Sequence, residues 1–301
     1  MRAAAADGPR VPSRAGAFLL VVFAVGPALY WAHFLAVAVH ELVGHGLVAW
    51  AVGGRFEGFM IAPDLFGWAT VSPGPDPGSF PTLRRAAILA GGSVSTASAG
   101  LALLLLLTCT RRGGGWARLT AWVAAYALLM EGATYLFFTS IHPTGGDWAR
   151  LLGLVDAGPW LRWVFVLVGG ILTLGGLVLI LRGGLHEVAT LLPPAGDGGR
   201  GPRRWLLLAA VLPALPLVVF DWDQLAPGLW QWPNLAMILL HAGVADVLLR
   251  ARSGPEWRPV PTQPTRVRPG AARTACTNAA LSLATFASAW LVLRHGISWG
   301  D

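Results

Sequence analysis

Apolar runs of 18 or more residues recur along this chain of 301 residues. A helix rises 1.5 Å per residue, so each run can cross the ~30 Å hydrocarbon core of a bilayer. Inside lipid no water serves the backbone N–H and C=O groups, so a spanning segment must satisfy them itself, as a helix does. The runs fall at 16–52, 83–108, 117–139, 160–181, 204–220, 229–249 and 274–293. They predict an all-α, multi-pass integral membrane protein with about seven to eight transmembrane helices. Composition agrees: 12% of the residues are charged, against about 25% in soluble domains.

The first run, at ~1.5 Å per residue, is too long for one untilted span. Gly26-Pro27 reads as a break, giving either a kinked entry into one span or two tightly joined spans. Before it, residues 1–15 form a polar tail with Arg2, Arg10 and Arg14. The run behind that tail is longer than a signal-peptide core, so it reads as a retained anchor. After it, "GGRFEGFMIAPDLFGWATVSPGPDPGSF" at 53–80 changes character. Gly and Pro punctuate β-prone pieces around Phe59–Ile61 and Trp68–Val71, which predicts a small membrane-associated β-hairpin. Such backbone survives at membrane depth only where protein or water covers it.

The net charge is +7, and every basic residue apart from histidine is Arg. These arginines sit in short loops between runs, where topology and lipid headgroups account for them, so nucleic acid is not an expected partner. Counting them places the tail, 110–118, 182–204 and 250–273 in the cytoplasm if 16–52 crosses once. That leaves seven spans and an external C-terminus. Cys109 and Cys276 lie far apart and imply neither a disulfide framework nor a zinc knuckle. The expected location is a bacterial cell membrane, with the lipid bilayer as a partner and the oligomeric state open.

Chemistry concentrates in "HELVGH", His40 to His45, inside the first run. In the zinc-protease signature H-E-x-x-H the two histidines are four apart and share a helix face, about 40° from each other. Here they are five apart, about 140° around a regular α-helix, and could not share one ion. A π-bulge repairs the mismatch by absorbing one residue without moving the flanking turns. Gly44 is the expected location, because glycine tolerates unusual backbone. A charged Glu in mid-span costs several kcal/mol unless it is paired or faces a polar cavity. His40 and His45 are therefore candidate zinc ligands, and Glu41 the candidate general base. The six-residue form resembles the H-E-x-x-x-H zinc motif of the dipeptidyl peptidase III family, a likeness confined to those six residues.

Zinc hydrolases usually take three protein ligands and leave a fourth position for water. The candidate third ligand is Asp147 in "HPTGGDWARLL", 142–152, on a Gly-rich break before a short apolar helix. An Asp capping that helix is the plainer alternative, and His142 is the second candidate ligand. Glu131, mid-span in "AYALLMEGATYLFF", reads equally as a carboxylate behind a ligating His and as a neutral group bonded to a neighbouring helix. His241 and Asp246 read as a pair across helices, and His186-Glu187 as loop residues with no role in the site.

In this order the parts resemble the site-2 protease family of intramembrane zinc metalloproteases. The pieces that carry the resemblance are HELVGH at 40–45, the hairpin at 56–71, "LAGGSVSTA" at 89–97 and "HPTGGDWARLL". Together they span residues 30–155. The resemblance implies His40, His45 and Asp147 as zinc ligands and Glu41 as base, and a transmembrane segment of another protein as substrate. It implies a metalloprotease-like membrane core at 16–156, with further transmembrane helices at 157–301. It also places the zinc nearer the cytoplasm, which favours two crossings within 16–52. Three departures stand out. The His spacing is longer, Ser95 stands where the family's Gly-Pro-x-x-Asn stretch has Asn, and Trp148 follows the Asp in place of Gly. Ser95 or Ser93 is the expected replacement donor. The function expected is intramembrane peptide-bond hydrolysis. The alternatives are a non-proteolytic membrane regulator or chaperone and an ion-coupled transporter. The last lacks the paired broken helices of repeat transporters.

Overall fold

The structure is a computed structural model, and it describes residues 14–63, 67–72, 81–110, 115–141, 146–191, 243, 244, 247 and 271–298. The tail before residue 14, the expected span at 204–220 and, apart from residues 243, 244 and 247, the expected span at 229–249 lie outside the described residues. Five helices among the described residues are long and apolar enough to cross a membrane: Val22–Ala51, Thr82–Cys109, Trp116–Ile141, Pro159–Val188 and Arg273–His295. The protein is an integral membrane protein of mostly helical class with one small sheet.

Of the two expected arrangements of the first run, the structure has the single span, with no interruption at Gly26-Pro27. Helix α1 (Arg14–Ala38), a π-helical segment (Val39–Leu47) and α2 (Val48–Ala51) run on without interruption, with Pro27 inside. Proline removes one backbone donor and crowds the preceding turn. The carbonyls around it find donors on α7 (Ala271–Leu291). Asn278 Nδ2 donates to the Ala24 carbonyl at 2.8 Å, and the Ser282 hydroxyl donates to the Pro27 carbonyl. Neither is the carbonyl that Pro27 frees, which is that of Phe23 four residues back; these bonds fasten α7 beside the proline turn. Asn278 and Ser282 follow Ala24 and Pro27 in the same order, so α1 and α7 lie parallel.

Helix α4 (Trp116–Ile141) stands at the centre, packed by α1, α3 (Thr82–Cys109) and α6 (Pro159–Leu191), with Leu129 fully buried. Outward-facing Leu105, Leu106, Leu167 and Ile171 are exposed, as a lipid-facing surface requires. Helix α6 runs ten residues past the expected start of a loop at 182. Glu187 explains the extension: it is buried and accepts from Arg118 Nε at 2.6 Å and from the Gly115 N–H at 3.3 Å. This ion pair ties the end of α6 to the start of α4, and His186-Glu187 lies on a helix, away from the histidine cluster.

The hairpin is present as β1 (Arg55–Ile61) and β2 (Gly67–Ser72), antiparallel, with Phe59 opposite Ala69. A third strand, β3 (Ile297–Ser298), pairs with the other side of β1, so the order is β2-β1-β3 and, among the described residues, β2 keeps a free edge. Nothing in residues 53–80 announces that partner, because it comes from more than two hundred residues away.

Candidate metal centre

The π segment does what the long His spacing requires. Its i→i+5 hydrogen-bond pattern sets residues five apart over one another. The His40 and His45 rings meet at 5.0 Å and 66°, and both are buried along with Glu41. The distortion extends over Val39–Leu47, well beyond a single bulged residue. Gly44 serves a different purpose from the expected one. It is not among the residues with positive φ. A Cβ there would lie 2.3 Å from Gly92 Cα, and one on Gly91 would lie 2.0 Å from the Gly44 carbonyl oxygen. The three glycines therefore let α3 touch the π segment backbone to backbone, the close approach that small residues permit between membrane helices.

Asp147 arrives on α5 (Gly146–Leu154), a short helix outside the spanning ones, opened by Gly146 at φ +79°. One oxygen, Oδ2, stands 3.2 Å from His45 Nε2 and 3.6 Å from His40 Nε2. Bonds of about 2.0–2.1 Å in a tetrahedral zinc site put neighbouring ligand atoms about 3.3 Å apart. The donor set therefore fits a tetrahedral ion with three protein ligands. His45 Nδ1 faces the Ile88 carbonyl at 2.8 Å. A carbonyl only accepts, so Nδ1 carries a proton and Nε2 is the atom turned toward Asp147, the ring orientation common behind zinc-bound histidines. Burial raises the Asp147 carboxyl, but the neighbouring His40 and His45 outweigh it and hold it well below the usual carboxylate range.

Glu41 also lies at the cluster. His40, Glu41 and His45 each offer an atom within 4.8 Å of the others, a spacing that could itself hold a metal. We favour Asp147 as the third ligand on its two short distances. Glu41 instead faces the hairpin: a Cβ on Gly67, the first residue of β2, would lie 2.8 Å from Glu41 Oε1. The edge strand thus starts directly over the candidate base. Arg150 of α5 stacks over Trp68 at 5.5 Å, bridging β2 and the Asp147 helix at the rim.

One family departure, Trp148, meets one of the expected replacement donors, Ser93. The Trp148 indole N–H donates to Ser93 Oγ at 2.9 Å, both groups buried, with the indole edge-on to Phe165 at 4.7 Å. Ser93 follows the Gly91-Gly92 pair, so one turn of α3 braces both the π segment and the helix that carries Asp147. The Ser95 hydroxyl is turned back onto its own helix, donating to the Gly92 carbonyl at 2.9 Å, so it is not aimed at the cluster. Trp148→Phe keeps the ring and removes the donor. Its expected cost is about 1 kcal/mol in a denaturation titration, with a weaker metal affinity for the same protein; an unchanged affinity would mean that the contact does not hold Asp147.

Glu131 does stand behind a histidine: its Oε1 faces His40 Nδ1 at 3.7 Å, and its Oε2 faces His33 Nε2 at 3.2 Å. His33 escaped the sequence reading, although it precedes His40 by seven residues and so shares its helix face. Tyr135 was also missed. Its ring is edge-on to His40 at 5.2 Å, and its hydroxyl accepts the Asp147 backbone N–H at 3.4 Å. No local signal marked it. His142, His241 and Asp246 lie outside the described residues.

A family model described as Peptidase M50B-like matches residues 14–183, more than half of the chain. The match takes in every piece that carried the resemblance to site-2 proteases and extends past it at both ends. No curated protein and no solved structure matches the chain.

Proposed function

The chain belongs to the Peptidase M50B-like family, and on that premise we propose that it is an intramembrane zinc metallopeptidase. Its substrates are peptide bonds in or near transmembrane segments of other membrane proteins. The observation that carries this reading is the single Asp147 oxygen set between two histidine Nε2 atoms at 3.2 and 3.6 Å, beside a buried glutamate.

His40, His45 and Asp147 hold the zinc, which when bound acts as a Lewis acid and lowers the pKa of water to about 7. Glu41 takes the proton from the attacking water and delivers it to the leaving amine. The substrate unwinds locally and adds as a strand to the free edge of β2, where backbone pairing supplies binding without demanding one sequence. Because β2 begins over Glu41, a strand paired there brings its backbone to the base. The surrounding helices hold bulk water away, which strengthens each charge interaction inside.

One observation favours a second reading, a non-proteolytic membrane regulator with the same centre. The Ser95 hydroxyl is spent on the Gly92 carbonyl, so the donor expected in place of the family's Asn is not offered to a substrate.

The primary test is the zinc content of full-length protein purified in detergent, wild type beside His45→Ala. About one zinc per chain in the wild type and loss in the variant is the expected result, since structural and catalytic zinc sites depend on each ligand. Zinc retained by His45→Ala would remove HELVGH as the site.

A further inference from the structure

The mechanism leaves unused a half-buried carboxylate and a histidine in the middle of two spanning helices. Glu131 sits on α4 and His33 on α1, and Glu131 stands between His33 and His40. His40 Nδ1 is buried and makes no hydrogen bond among the described residues. Its partner on the other ligand, His45 Nδ1, is already held by the Ile88 carbonyl. An orphaned ring N–H in a membrane interior is costly, and a carboxylate in a span persists where a partner holds it. The carboxylate facing that orphan is Glu131, at 3.7 Å, and a small rotation of the imidazole brings the two into bonding distance.

Resting on the zinc reading above, we propose that Glu131 and His33 are positioning residues of the metal centre. Glu131 accepts the His40 Nδ1–H and so turns Nε2 toward the ion. His33 donates Nε2–H to the second oxygen of Glu131 and keeps that carboxylate from swinging away. The two ligand histidines are then steered alike, one by a backbone carbonyl of α3 and the other by a carboxylate of α4. His33 touches no ligand and acts only through Glu131.

The test uses full-length protein in detergent, with Zn2+ itself as the probe. Affinity is measured by competition with a chromophoric chelator, and coordination geometry by the visible absorption of the Co2+-substituted protein. The variants are Glu131→Leu, Glu131→Gln, His33→Leu, His33→Gln and His40→Ala. Loss of a carboxylate behind a metal-bound histidine weakens affinity by about 10- to 100-fold, which is expected for Glu131→Leu with a shifted Co2+ spectrum. Glu131→Gln keeps an acceptor and falls between it and wild type. His33→Leu weakens affinity several-fold, and His33→Gln, whose amide still donates, restores it. A merely structural role would lower thermal stability in these variants and leave the Co2+ spectrum of the folded fraction unchanged. If Glu131→Leu does not fold, Glu131→Gln decides alone: wild-type affinity with a wild-type spectrum overturns the inference. Zinc that is bound by wild type, lost in His40→Ala and untouched by every Glu131 and His33 variant overturns it while sparing the zinc reading. A wild type that binds no zinc overturns both.

Discussion

Glu41→Gln is expected to abolish peptide-bond cleavage while leaving zinc in place. Glutamine keeps the shape and removes the base. A positioned general base contributes about 10²- to 10⁴-fold to rate, so turnover of single-span model substrates in proteoliposomes should fall by that factor. Zinc should stay at the wild-type level, because His40, His45 and Asp147 remain and their atoms are already at ligand spacing. Glu41 is buried against Gly67, so the neutral amide also fits without repacking. The comparison separates the two readings. Zinc retained with cleavage lost supports the peptidase. A wild type that binds zinc, cleaves none of the substrates, and keeps its cellular role in the Glu41→Gln form would establish the non-proteolytic regulator instead.

Gly92→Ala should be as damaging, although it changes no candidate ligand. A Cβ at this position would stand 2.2 Å from His40 Nε2, 2.4 Å from Cδ2 and 2.7 Å from Cε1. Real Cβ atoms do not approach that closely, so something must move. Helix α3 cannot simply shift along the contact, because Gly91 abuts the Gly44 carbonyl one residue away. The ring is then displaced at the atom that binds the ion. Zinc affinity should drop by about 100-fold or more, matching loss of a ligand-orienting group at its upper range. Overpacking should cost a further ~1–3 kcal/mol of stability. Gly153→Ala is the control, since nothing lies within 4 Å of a Cβ there. Equal zinc binding by Gly92→Ala and wild type would show that the two helices are not in backbone contact at this point.

Much of this protein follows from sequence alone, for physical reasons that are local. A long apolar run can satisfy its backbone in lipid only as a helix, so the class and the described spans were legible. The hairpin was legible from its Gly and Pro punctuation. HELVGH announced itself because polar groups in a span are expensive, and its odd spacing demanded a π-helical distortion, which is present at Val39–Leu47.

What required the tertiary structure depends on partners distant in sequence. Pro27 predicts a break by itself, but the helix runs on through it, and the groups fastened beside it, Asn278 and Ser282, lie far along the chain. Gly44 was the expected location of the π distortion and lies within it, but only the position of α3 shows that it is also a contact point. Trp148 read as a loss of the family pattern and Ser93 as a candidate donor to substrate, until packing brought the two together as one hydrogen bond. Periodicity placed His33 on the same face as His40, but the reason it stands there is Glu131, on another helix. Hydropathy along one segment determines that a helix spans. Which polar groups meet inside the membrane is decided between segments, because each buried donor must find its acceptor on whatever helix packs against it.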